Sequence, residues 1–194
     1  MSLPRLLILT DRSMCRTTLP STVATAVHCG ARAVVLREKD LPPAARTQLY
    51  DELLEILAPV GGLVISAGSA LFGRDGMHLA ARDDFPTPRP GVVGRSCHDL
   101  DEIVRSRAEG CDYVTVSPVF PTLSKPGYGP ALGLDGLAQL IPGTPPVYAL
   151  GGIQPADVGG CLAAGARGVA VMGPVMRDPA IVSQYLAELS EVTG

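Results

Sequence analysis

The sequence predicts a compact (β/α)8 barrel, and three observations predict it. Strand-like apolar runs alternate with helix-like segments along the whole chain. Eight such units can be counted, and eight βα units in one chain close into a barrel. The runs are continuously apolar instead of alternating, which marks parallel strands covered on both faces. At 194 residues the chain makes a small example, a single domain spanning 1–194. An open, doubly wound sheet is the alternative, because a strand count read from sequence can miss by one or two.

Leu6–Leu9 reads as the first strand, followed by a helix over Ser21–Cys29 that stops at Gly30. Ala33–Leu36 is the second strand. Pro42–Ala58 is an amphipathic helix with Leu49, Leu53, Leu54 and Leu57 on one face. Leu63–Ile65 and Met77–Leu79 are the third and fourth strands, and the prolines of Phe85–Pro90 predict a loop or one short turn. Val92–Gly94 is the fifth strand, backed by a helix over Asp99–Glu109 whose early acids suit the helix dipole. Tyr113–Val116 is the sixth strand, and a long Pro/Gly/Ser loop leads from Ser117 to Pro130 before a helix over Leu134–Leu140. Val147–Leu150 is the seventh strand, ending in Gly151-Gly152, with a helix over Pro155–Ala164 closed by Gly165. Gly168–Val171 is the eighth strand, and Pro179–Val192 is a final helix with Ile181, Tyr185, Leu186 and Leu189 inward.

Composition narrows the function. A net charge of −3 supplies no basic face for phosphate contacts, so no nucleic acid is expected as a partner. No apolar run approaches the roughly 18 residues of a membrane span, and Leu6–Leu9 is too short for a signal-peptide core, so a cytoplasmic location is expected. The five cysteines are scattered, with no C-x-x-C spacing, and read as small buried hydrophobes instead of metal ligands or disulfide partners.

In a barrel of this kind the chemistry sits at the C-terminal ends of the strands. Those ends carry Thr10-Asp11-Arg12, Arg37-Glu38-Lys39, Ser66-Ala67-Gly68, His78, Arg95-Ser96-Cys97-His98, the loop from Ser117, Gly151-Gly152 and Met172-Gly173. Gly151-Gly152 and Gly173 leave backbone N–H groups open to an anion, and the helix near Pro155 aims its positive end at the same place. A phosphate pocket is expected there. Arg37, Lys39 and Lys125, the last flanked by Thr122 and Ser124, supply the cations for further anionic oxygens.

VVLREKDL at 34–41 and SPVFPTLSKPGYGPALGLDGL at 117–137 resemble the motifs of the thiamine phosphate synthases and their sister group, the TenI-type thiazole tautomerases. GRSCH at 94–98, YALGGI at 148–153, GARGVAVMGPVM at 165–176 and TDR at 10–12 extend that resemblance across nearly the whole chain, in the right order. The resemblance implies a (β/α)8 barrel. It also implies that Gly151, Gly152, Met172 and Gly173 hold a thiazole phosphate, and that Arg37, Lys39 and Lys125 face a pyrimidine diphosphate. Thr122 and Ser124 would stand beside Lys125, and Ser96 would line the pocket. A synthase joins the two substrates and releases pyrophosphate with Mg²⁺; a tautomerase aromatises the thiazole phosphate carboxylate by proton transfer and needs no cofactor.

The departures from the pattern bear on which of the two is present. Val35 stands where the synthases have Gln, and Ser66-Ala67-Gly68 replaces an Asn-Asp-Arg triplet that includes a metal ligand. A second metal carboxylate would fall at Asp83 or Asp84. These losses favour the tautomerase reading, with the synthase as its alternative. The tautomerases, however, carry an acid–base histidine where this chain has Ser117, which leaves Ser117, Lys125, His78 and His98 as candidates for proton transfer. A phosphate-binding barrel without catalysis is a third reading. Apolar residues late in the last helix would suit a homodimer.

Overall fold

The computed structural model describes residues 3–68, 76–121 and 130–191. Eight strands form one closed barrel in sequence order: β1 (Leu6–Leu9), β2 (Ala33–Leu36), β3 (Leu63–Ala67), β4 (Gly76–Leu79), β5 (Val92–Cys97), β6 (Tyr113–Val116), β7 (Val147–Leu150) and β8 (Gly168–Val171). Each strand pairs parallel with the next, and β8 closes on β1 through Leu7 opposite Ala170. The open sheet is thereby excluded. Among the described residues the helices are α1 (Leu19–His28), α2 (Pro43–Leu57), α3 (Leu100–Ala108), α4 (Gly133–Leu140), α5 (Val158–Ala163), α6 (Gly173–Arg177) and α7 (Val182–Glu191).

Alternation along the strands sorts the side chains into two layers. Leu7, Leu9, Ala33, Val35, Ile65, Ala67, Tyr113, Tyr148 and Ala170 fill the barrel. The intervening positions, among them Ile8, Val34, Leu36, Val114 and Val169, pack outward against Val23 of α1, Leu53 of α2 and Tyr185 of α7.

The element boundaries differ from the sequence reading where local chemistry overrides apolar pattern. α1 begins at Leu19 because the Thr18 hydroxyl accepts from the Ser21 amide and Pro20 suits the first turn. β3 and β5 run on to Ala67 and Cys97 through Ser66, Arg95 and Ser96, polar residues that are tolerated because each is hydrogen-bonded. The helix expected from Pro155 begins as a 3-10 turn and becomes α-helical only at Val158. The final helix is likewise preceded by a 3-10 turn at Pro179–Ile181. α6, a single extra turn after β8, has no counterpart in the sequence reading.

The wall behind β4 and β5 is built differently. Residues 80–91 form no helix, as their prolines predict. Arg95 projects outward from β5 into the space a helix would fill, and Arg105 of α3 joins it. Arg95 Nη1 donates to the carbonyls of Ala80, Ala81 and Asp83 at 3.0, 3.1 and 2.7 Å, and Nη2 pairs with Glu109. Arg105 Nη2 donates to the same Asp83 carbonyl at 3.1 Å, and its Nε to Glu109 at 2.8 Å.

All five cysteines are free thiols, three of them buried. Burial pushes the Cys97 and Cys161 thiols up to about 11, the environment of an inert structural cysteine. The apolar residues of α7 turn inward: Tyr185 and Leu189 are buried, and Leu186 packs against the core. Among the described residues no helix is long and apolar enough to cross a membrane.

Candidate active site at the barrel mouth

The Arg37-Glu38-Lys39 turn after β2 splits in direction. Arg37 and Lys39 reach toward the barrel axis, and both act electrostatically on His78 inside it. Arg37 Nη1 lies 2.6 Å from Met172 Sδ after β8. Lys39 lies across Gly68, with Nζ 3.6 Å from where a side-chain carbon on that glycine would sit. Glu38 points the other way and is buried, accepting from the Arg12 backbone at 3.1 Å and its guanidinium at 2.9 Å. Arg12 also pairs with Asp40, and that partner holds the Asp40 carboxyl below the usual carboxylate range. A cleft of about 620 Å³ opens beside this cluster, lined by Asp11, Arg12, Glu38 and Asp40, but its charges satisfy one another.

Glycines line the rim after β7 and β8. Gly151 and Gly152 have φ of +100° and +69°, conformations that glycine alone adopts at little cost. They also let two loops touch: a Cβ on Gly152 would stand 2.5 Å from the Pro121 carbonyl. Val119 and Phe120 donate their amides to Leu150 and Gly151, which fixes this contact. The amides of Gly151, Gly152 and Gly173 have no acceptor among the described residues. The Gln154 amide is taken by Asp157 at 2.8 Å, so the turn at Pro155 contributes less to an anion than the sequence reading expects. A short extra helix, α6, starts on the same rim after the eighth strand, a position where barrels of this fold commonly build phosphate sites.

The floor of the mouth holds a polar group in an apolar bed. His78 is buried within the barrel, with Nδ1 2.9 Å from the Tyr113 hydroxyl and Nε2 2.9 Å from the Ser96 hydroxyl. Burial, with Arg37, Lys39 and Arg95 nearby, lowers its pKa to about 3. Tyr113 enters from the bottom of the barrel across Gly94, which must lack a side chain because a Cβ there would stand 2.0 Å from the ring. Thr115, opposite Ser96 in register, is buried and its hydroxyl has no partner among the described residues.

The remaining sequence candidates separate. His98 sits at the end of β5, but its ring pairs with Glu102 at 2.9 Å and its amide with the same carboxylate at 2.7 Å, an anchor for the start of α3. Ser117 stands at the rim, its amide bonded to the Cys97 carbonyl. Thr122, Ser124 and Lys125 lie outside the described residues. Sequence reasoning missed Tyr113, Thr115 and Gly94; polar or missing side chains inside otherwise apolar strands were the available signal.

Divalent-metal binding can be tested against the donors present. Asp83 acts electrostatically on His78, with one carboxylate oxygen taken by the Ala80 amide at 2.8 Å, whereas Asp84 acts on Arg105 in the outer layer. Ala67 offers nothing. Among the described residues no three His, Cys, Asp or Glu side chains converge. One carboxylate oxygen together with diphosphate oxygens lies within what Mg²⁺ accepts, so the residues fit an ion that arrives with its substrate.

Fold and site together define a (β/α)8 barrel whose mouth carries both cations and open glycine amides. A family model described as thiamine monophosphate synthase matches residues 6–175. A putative thiamine-phosphate synthase of Geobacter sulfurreducens is 38% identical over 181 residues, covering 83% of this chain and 81% of that protein. A thiamine-phosphate synthase of Methanoculleus marisnigri is 35% identical, covering 89% and 88%. The solved thiamine phosphate pyrophosphorylase from Pyrococcus furiosus superposes with a TM-score of 0.84 at 25% identity, covering 98% and 97%. The chain belongs to the thiamine monophosphate synthase family, enzymes of thiamine biosynthesis.

Proposed function

We propose that the protein is a thiamine-phosphate synthase, joining a thiazole phosphate to a pyrimidine diphosphate. The observation that carries this reading is that Arg37 and Lys39 reach the mouth, where the amides of Gly151, Gly152 and Gly173 have no acceptor among the described residues. A pair of cations and a set of open amides at one mouth suit two phosphorylated substrates. The names of the relatives point the same way. This reverses the preference for a tautomerase drawn from the sequence departures.

The glycine amides and Met172 would hold the thiazole phosphate, and Arg37 and Lys39 the diphosphate; the family resemblance assigns Lys125, Thr122 and Ser124 to the diphosphate as well. As the bond to the diphosphate breaks and the bond to the thiazole forms, negative charge gathers on the departing oxygens. Cations already in place stabilise that charge without reorganisation. Asp83 would hold Mg²⁺ together with the diphosphate oxygens, and the ion would neutralise part of the leaving group's charge.

The tautomerase reading retains one specific support: Ala67 stands where a metal carboxylate is expected, and proton transfer needs no metal. One assay separates the two. Purified protein is given thiazole phosphate and pyrimidine diphosphate with Mg²⁺, and separately the non-aromatic thiazole phosphate carboxylate. Thiamine phosphate from the first mixture supports the synthase. Aromatised product from the second alone establishes the tautomerase, and silence in both leaves a binding protein. Arg37→Gln is expected to lower kcat/KM of the synthase by roughly 10²-fold, as for loss of one preorganised charge donor.

A further inference from the structure

We propose that Arg12, on the outer side of the turn after β2, sets the affinity of the mouth for a diphosphate by holding Glu38 and Asp40 away from Arg37 and Lys39. The inference deepens the reading of the mouth as a diphosphate site and rests on it.

The sequence of the turn works against its task. Residues 37–40 read Arg-Glu-Lys-Asp, two cations and two carboxylates in strict alternation. Left free, such close neighbours would neutralise one another, and a cation already paired gives little to an incoming anion. The fold sorts them. Arg37 and Lys39 go inward, and among the described residues neither forms an ion pair with a carboxylate. Glu38 and Asp40 go outward, and both end on Arg12.

Arg12 is placed for this by the end of β1. The Thr10 amide donates to the Val35 carbonyl at 3.0 Å, and its buried hydroxyl accepts from the Arg37 amide at 3.0 Å, so the start of the turn is fixed. Two residues on, the Arg12 amide donates to Glu38 Oε1 at 3.1 Å and Nη1 donates to Oε2 at 2.9 Å. Both oxygens of a carboxylate that is only 4% exposed are thus occupied. The guanidinium continues to Asp40, with Nη1 2.7 Å from Oδ1 and Nη2 on the other oxygen. A planar group with several donors reaches two carboxylates at once, which the single ammonium of a lysine does less well. The remaining acid of this rim, Asp11, is taken by the amide and hydroxyl of Ser13 at 3.1 and 2.6 Å.

Without Arg12 the Glu38 carboxylate would need another partner, because a buried charge left unpaired is costly. Arg46 of α2 feels its charge, but Arg46 Nη2 is committed to the carbonyls of Leu36 and Ala67. The adjacent cations Lys39 and Arg37 are what remains. The mouth would then lose a cation to its own neighbour, although no residue touching the ligand had changed. Arg12 is a positioning residue in this sense.

Calorimetric titration with pyrophosphate and Mg²⁺ tests this on the whole protein. Arg12→Met keeps the backbone donor and removes the guanidinium, and is expected to weaken pyrophosphate roughly tenfold, as for one cation diverted into an ion pair. Adding Glu38→Gln to Arg12→Met is expected to restore most of that affinity, since no buried carboxylate then competes for the cations. A turn merely loosened by the loss of Arg12 would bind worse still in the double variant, and that result overturns the proposal. So does unchanged affinity in Arg12→Met, or a wild type that binds no pyrophosphate. Arg12→Lys carries the same comparison with a smaller loss, and serves if Arg12→Met does not fold. In the synthase assay Arg12→Met should raise KM for pyrimidine diphosphate about tenfold and leave KM for thiazole phosphate within about twofold. Product formed with both KM values unchanged would keep the synthase reading and remove this role of Arg12. The expected binding pattern without product would keep the role and remove the synthase reading.

Discussion

The barrel is closed in on two sides by different means. Behind β2 the cover is α2, whose Tyr50, Leu53 and Leu57 bury against the strands. Behind β4 and β5 the apolar cover shrinks to Met77, Leu79, Val93 and Cys111 with Phe85 at the edge, and two guanidinium groups take the place of a helix. The helical side gains from many interchangeable contacts. The arginine side depends on a few directional bonds, and each donor lost leaves a carbonyl unsatisfied in a dry place.

The difference should show first in Arg95→Met, which keeps much of the volume and removes every donor. A loss of about 3–5 kcal/mol in urea unfolding is expected, the range for breaking a buried ion pair. Leu53→Ala on the helical side should cost about 3 kcal/mol, as a cavity of one truncated leucine, and its cost should be insensitive to pH. A loss with Arg95→Met below 1 kcal/mol would mean that the loop at 80–91 holds itself.

The third expectation concerns pH. His78 on β4 has a folded pKa of about 3, against 6.5 for the free side chain. The unfolded chain therefore takes up a proton below 6.5 that the folded chain refuses until about 3. Stability from this group is complete above 6.5 and is lost as pH falls through that window, by about 1.4 kcal/mol per pH unit. Between pH 7 and pH 5 the wild type should lose roughly 2 kcal/mol more than His78→Gln. Parallel losses in the two proteins would place a charged His78 in the folded state.

The smallest effect belongs to the outer face of α3. Leu100 and Val104 are 55% and 58% exposed, one helical turn apart, and touch little. Replacing both with serine should change stability by less than about 0.5 kcal/mol. A rise in solubility, or a fall in sedimentation coefficient, would assign the pair to an interface.

The strands were readable from sequence wherever burial meant an apolar side chain. Val34, Val114 and Val169 are found where the pattern puts them, and so are the glycines that end β7. The reading stopped short at Ser66, Arg95 and Ser96, because a polar residue inside a strand is stable only through a partner distant in sequence. Arg46, buried in α2 and bonded to the Leu36 and Ala67 carbonyls, escaped notice for the same reason. At the mouth, the residue types of the cations and glycines were evident. Which of them turn into the mouth was not, since Arg37 and Glu38 are adjacent in sequence and point in opposite directions. α6 was missed because five residues are too few to show a helical period.

The absent side chain at Gly94 has a consequence for anyone remaking this protein. It admits the Tyr113 ring, and through that ring a residue at the foundation of the barrel reaches the level where a substrate would lie. Stabilising designs commonly treat the lower layers of such barrels as free ground and keep to the upper rim for changes of specificity. Here the two territories are joined by one phenol. A library that varies residue 94 or 113 for robustness would also be disturbing, unasked, the support of His78 at the floor of the mouth.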